Sequence, residues 1–138
     1  MKKFVLIFFL VTLVLACEVE QPVYKSFPEG TYTGTFQREY GALQTDIVTV
    51  TIEFSGNHWS GSGELAKYPA LCHGTFSITN NAIVFVNECA WTAEFDWSLI
   101  LAGEYVITES GKTLEFYRIN SVGNFGSTDI YKLTKVEE

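Results

Sequence analysis

After its first sixteen residues this 138-residue chain contains no long apolar run and no stretch with a 3.6-residue hydrophobic period, so neither a membrane-spanning helix nor a helical domain is expected there. Residues that commonly do chemistry are scarce. There are two histidines, His58 and His73, each within or beside a run of alternating polar residues, and no CxxC pair or His-rich cluster accompanies the three cysteines. No nucleophile sits at a recognisable elbow, and no glycine-rich loop has phosphate-binding spacing. Glu94 and Asp96 stand two apart on one strand face, a spacing open to paired carboxylates but far more often that of a solvated surface. No enzymatic activity, metal or cofactor is expected. Positive charge is also scarce, with 9 lysines and arginines against 16 acidic residues. Such a surface repels nucleic acid and anionic headgroups and attracts basic partners.

What the chain does have begins at residue 2. Lys2 and Lys3 lead into FVLIFFLVTLVLA, an apolar run that ends at Cys17, and the pattern of charge, apolar core and small residue is that of a secretory signal. The run is too short to span a bilayer, and the polar EVEQPVYKSFPEG that follows, with Pro22 and Pro28, reads as a tether. Leu13-Val14-Leu15-Ala16-Cys17 resembles the lipobox of bacterial lipoproteins, with Val14 where leucine is commonest. That family acylates the cysteine thiol, so the resemblance implies a signal peptide over 1–16 and, over 17–29, a tether whose Cys17 carries acyl chains such as palmitate. Each buried methylene of such a chain adds ~0.8 kcal/mol of membrane affinity. Glu18 and Glu20 resemble the acidic signals that send some lipoproteins to the outer membrane, facing the periplasm or the cell surface. Removal of the leader takes the basic count from 9 to 7 and the net charge from −7 to −9.

Export favours disulfides. With Cys17 acylated, Cys72 and Cys89 remain as one pair, and between them GTFSI and AIVFV flank Thr79-Asn80-Asn81, a hairpin signal. With Asn80-Asn81 as the turn, counting outward sets Thr79 against Ala82, Ile78 against Ile83, Phe76 against Phe85 and Cys72 against Cys89. Directly opposed residues lie close enough for a disulfide. Two free thiols or a metal pair is the alternative. Period two puts Phe76, Ile78, Ile83, Phe85 and both cysteines on one apolar face, with His73, Thr75, Ser77 and Glu88 on the other, so the bridge is expected in a buried wall.

The alternation continues elsewhere. Val48, Val50, Ile52 and Phe54 share a face before Gly56-Asn57; Phe95, Trp97, Leu99 and Leu101 share one in EFDWSLIL; Ser110-Gly111 separates EYVIT from TLEFYRI; and DIYKLTKV closes the chain. About nine short strands, with Gly34, Gly61 and Gly63 at bends, predict one all-β domain over 30–138, a single antiparallel up-and-down barrel of eight to ten strands with little helix.

Gly30-Thr31-Tyr32 resembles the Gly-x-Trp element that opens lipocalin barrels, with tyrosine in place of tryptophan, and Arg118 in LEFYRI is placed like the late-strand arginine that closes a lipocalin's base. With the lipobox and the hairpin order, the mature chain is similar to small bacterial lipocalin-like, or calycin-like, lipoproteins. The resemblance implies a monomer carrying a hydrophobic small molecule in its barrel, and Arg118 stacked on Tyr32. The inward rings would be Phe36, Phe54, Phe76 and Phe85, with Phe95, Trp97 and Phe116. Arg118 is also open to a second role, as a clamp for a ligand carboxylate. Two functions follow from the sequence. The first is a lipid-anchored module holding a fatty-acid-like ligand among these rings; the second is a protein-interaction or inhibitor domain with a solid core, resembling the barrel lipoproteins that inhibit lysozymes.

Overall fold

The computed structural model describes residues 29–79, 81–122 and 125–137. The leader, Cys17 and almost all of the tether lie outside the described residues. Nine strands follow in order: β1 (Gly30–Tyr40), β2 (Leu43–Gln44), β3 (Val48–Ser55), β4 (His58–Gly63), β5 (His73–Thr79), β6 (Ala82–Asn87), β7 (Gly103–Ser110), β8 (Thr113–Val122) and β9 (Phe125–Lys135). The two-residue β2 folds back on the end of β1, and the other eight form an antiparallel meander closed by β1 against β9. Closure removes the sheet edges, which is how a small all-β chain avoids pairing with other molecules. Gly34 sits where β1 crosses β9 so closely that a Cβ would overlap the Lys132 carbonyl.

The alternation read from the sequence sets the two faces of the wall. Val48, Val50, Ile52 and Phe54 are buried, and their neighbours in β3 face outward. The β5–β6 hairpin has the expected register, with Thr79 against Ala82, Ile78 against Ile83 and Phe76 against Phe85. Cys72 and Cys89 are joined, with Cα atoms 6.4 Å apart. They lie just past the last ladder pair, Gly74 with Asn87, and there the wall is half-buried, so the bridge stands at the rim of the core and not within it.

The barrel's two ends differ. At the hairpin end the chain enters at Gly30 and turns tightly at Gly56-Asn57 and Gly111-Lys112. At the loop end lie the longer connections over residues 64–72 and 88–102.

The segment EFDWSLIL departs from the expected strand. Asp96 accepts a hydrogen bond from the Ser98 amide and starts a 3₁₀ turn, Trp97–Leu99. Short polar side chains that capture their own backbone in this way compete with ladder formation. Leu101 alone of the four alternating residues is fully buried; Trp97 is 57% exposed, and Phe95 packs on Trp91 and under Lys67 instead of inside the barrel.

Candidate functional site

Of the sequence's candidate ligand contacts, the structure brings Phe36, Phe54, Phe76, Phe85 and Phe116 together inside the barrel. They belong to a column of rings that runs from one end to the other. Tyr32 meets Phe54 edge-on at 5.7 Å, Phe54 lies 6.4 Å from Phe85, and Phe85 lies 5.3 Å from Phe116. Phe116 stacks on Tyr131 at 4.5 Å, Tyr131 lies 4.9 Å from Phe36, and Phe36 meets Tyr68 of the 64–72 loop at 5.4 Å. Trp59 and Tyr105 flank Phe85, each 5.6 Å from it. These are contact separations, each adding ~0.5–1.5 kcal/mol beyond simple burial.

Above the column, at the loop end, three charged residues from neighbouring strands form one inward row. Arg38 on β1 and Arg118 on β8 both stand opposite Asp129 on β9. Arg38 donates Nε to Asp129 Oδ1 at 2.5 Å and Nη2 to Oδ2 at 2.8 Å, a bidentate pair with both side chains almost wholly buried. The guanidinium also donates to Asp96 Oδ2, Ser98 Oγ and the Ser98 carbonyl at 2.9–3.0 Å. Burial by itself would lower the Arg38 pKa, but the hydrogen bonds and charge of Asp129 more than offset it, and the value ends above the ordinary one. Hydrogen bonds from Ser98, aided by Arg38, hold the Asp96 carboxyl below its usual range, so it stays ionised as part of the same cap. Asn120 Nδ2 donates to Asp129 Oδ2 at 2.9 Å.

Arg118 points inward as alternation requires, but not at Tyr32. Tyr32 lies at the hairpin end, whereas the Arg118 guanidinium stacks over Tyr105 at 4.7 Å and donates to the Ser98 carbonyl at 2.8 Å and to the Ala102 carbonyl. Its Nη2 is also 3.5 Å from Asp129. Arg118 therefore pins the 88–102 loop over the barrel mouth instead of closing the base. Both arginines of the chain are thus committed to internal partners. Sequence reasoning missed Arg38 and Asp129, although period two puts Arg38 in phase with Tyr32 and Phe36, and Asp129 in phase with Tyr131 and Leu133.

No family model matches this chain. Nor does any curated protein or any solved structure match it. The functional reading therefore rests on the geometry.

A cleft of about 890 Å³ opens to solvent at the hairpin end, lined by Glu29, Thr31, Glu53, Lys112, Lys135 and Glu137 among others, with Phe54 the only ring of the column to reach it. A second, of about 280 Å³, lies on the outer wall beside His58, His73, Glu53 and Glu88. At the loop end, Leu43 (73% exposed), Trp97, Ile47, Leu65 and Tyr40 present apolar surface between Asp46, Glu64, Glu94 and Asp96. Lys67 is the cation of these loops among the described residues, and Lys112 and Lys135 stand at the opposite end.

The buried tyrosines make a pH prediction. Burial pushes the Tyr105 and Tyr131 hydroxyls above their ordinary values, so the folded barrel keeps them neutral while an unfolded chain ionises them near pH 10. Their contribution is fully present below about pH 10 and is lost as pH rises toward the folded values, by up to ~1.4 kcal/mol per pH unit for each tyrosine. Denaturant unfolding at pH 9 and pH 11 should show this loss, and these two tyrosinates should appear in the absorbance only as the chain unfolds.

Proposed function

We propose that this chain is a lipocalin-like lipoprotein, held at the cell envelope through an acylated Cys17, that acts as a protein-interaction domain: a solid barrel displaying its loop end to a basic protein. The observation that carries this reading is the unbroken column of rings from Tyr32 to Tyr68. A fatty-acid guest would have to displace these rings, and vacating the place of one phenylalanine already costs ~3–5 kcal/mol. The carboxylate of such a guest would also have to compete for Arg118 with two carbonyls and Asp129.

The layout of the surface supports the same reading. Glu29, the described residue nearest in sequence to Cys17, lies at the hairpin end, where Lys112 and Lys135 stand among Glu29, Glu53 and Glu137. The apolar and acidic loops lie at the opposite end of the barrel. Exposed aromatic and aliphatic side chains set among charges of one sign are features of protein contact surfaces, and the acidic sign steers basic partners to them.

The test uses the chain carrying Cys17→Ser, which should move from the membrane to the soluble fraction. Titration with a fluorescent fatty-acid analogue should give no saturable binding. The immobilised chain should retain a member of a panel of basic secreted proteins, lysozyme included, and release it as salt rises; Trp97→Ala should weaken that binding by about tenfold or more. Stoichiometric uptake of the fatty-acid analogue would restore the ligand-carrying function, and unchanged membrane association of Cys17→Ser would remove the anchor.

A further inference from the structure

The disulfide has a third participant. His73 Nδ1 lies 3.4 Å from Cys72 Sγ and 3.2 Å from Cys89 Sγ, and one ligand atom from each of the three residues falls within 4.8 Å of the others. His73 belongs to the outward polar face of β5, yet its ring reaches around to the bridge at the rim of the barrel. The histidine is exposed and the cysteines are half-buried, so the cluster is open to solvent. No sequence motif marks it, because the donors are adjacent residues at one end of a hairpin and the residue facing them at the other.

We propose that opening the Cys72–Cys89 bridge converts this corner into a two-cysteine, one-histidine site for a thiophilic divalent cation of the zinc class. The inference is independent of the proposed role of the loop end. Opening consumes two electrons and two protons from a dithiol. One thiolate of the dithiol attacks a bridge sulfur and its second thiol resolves the mixed disulfide, leaving Cys72 and Cys89 as thiols and the reagent as a disulfide. The cation then displaces one proton from each thiol and takes the neutral imidazole Nδ1 as its third donor. The fourth position is left to solvent.

Two structural facts favour this outcome over simple loss of the staple. First, hydrogen bonds other than the bridge tie down both cysteine segments. The Glu88 amide donates to the His73 carbonyl at 3.0 Å, the Gly61 amide to the Cys72 carbonyl at 2.8 Å, and the Cys89 amide to Asn87 Oδ1 at 3.1 Å. Second, the nitrogen is already in position. In a tetrahedral zinc site with metal–sulfur bonds of ~2.3 Å and metal–nitrogen bonds of ~2.0 Å, nitrogen and sulfur ligands stand roughly 3.5 Å apart and two sulfurs roughly 3.7 Å apart. The observed nitrogen–sulfur distances of 3.2 and 3.4 Å are close to that edge, so only the two sulfurs have to separate. Thiolates and imidazole together select zinc-class ions over magnesium or calcium.

The experiment uses the full chain with Cys17→Ser, so that the two barrel cysteines are the only thiols. After reduction with a phosphine, titration with Co²⁺ should give a thiolate-to-cobalt charge-transfer band that saturates at one ion per chain and is displaced by Zn²⁺. The oxidised chain should show no band, and His73→Ala should weaken binding by about tenfold or more, the least expected for loss of a direct ligand. Zn²⁺ should raise the melting temperature of the reduced chain, since binding to the folded form stabilises it, whereas capture by unfolded cysteines would lower it. Absence of the band after reduction, equal affinity in His73→Ala, or a zinc-induced fall in melting temperature would each overturn the proposal.

Discussion

Arg38→Met is expected to destabilise the barrel by about 3–5 kcal/mol in denaturant unfolding, the usual consequence of leaving one member of a buried ion pair uncompensated. Methionine keeps the length and the apolar stem of the side chain, so the loss isolates the charge. Asp129, 2% exposed, would retain Asn120 at 2.9 Å and Arg118 at 3.5 Å but lose both of its short guanidinium contacts. The 88–102 loop would lose three of its bonds to the barrel mouth at the same time, and limited proteolysis should cut it there first. Arg38→Met with Asp129→Leu should be less destabilised than Arg38→Met alone, because the uncompensated charge goes with it. A loss below about 1 kcal/mol in the single variant would mean that the row of charges contributes nothing net.

Phe116→Ala is expected to cost about 3–5 kcal/mol, and it also tests how tightly the column is packed. The ring is fully buried, stacked on Tyr131 and in contact with Phe85 and Tyr105, so its removal leaves an apolar void bounded by rigid rings. Voids of this kind stay dry and accept benzene-sized molecules. Benzene should therefore raise the melting temperature of Phe116→Ala while leaving the unaltered chain unmoved. Equal stabilisation of both would mean that the barrel already has room for an apolar guest.

The all-β barrel and the β5–β6 hairpin were legible in the sequence because they depend on local signals. A paired-asparagine turn and strict alternation are enough to place Cys72 against Cys89. The segment around Trp97 was misread for a physical reason: Phe95, Trp97, Leu99 and Leu101 alternate as a strand does, but Asp96 and Ser98 between them bond to each other and to the backbone. Alternation reports which side chains share a face, and it does not report whether the backbone's donors go to a neighbouring strand. The partner of Arg118 turned on a single residue of register. Ser110 pairs with Thr113, so the turn is Gly111-Lys112 and the β7–β8 ladder, continued past Val106 and Tyr117, sets Tyr105 against Arg118, whereas a turn centred on Ser110-Gly111 would have set Tyr105 against Phe116. The pairing of Arg38 with Asp129 spans 91 residues and depends on the barrel closing, so no local count reaches it.

That closure governs the order in which the fold can be completed. The ladder between β1 and β9 joins Tyr32 to Lys135 and Glu39 to Thr128, the first strand to the last. Until β9 is present, β1 and β8 are both open edges, and Arg38 has no Asp129 to meet. Contacts of such wide sequence separation pay their loop-closure entropy before they return any stability, and they fold slowly. A chain synthesised from its N-terminus thus stays an open, unclosed sheet, with Arg38 and β1 unpartnered on that side, until β9 is released to pair with β1.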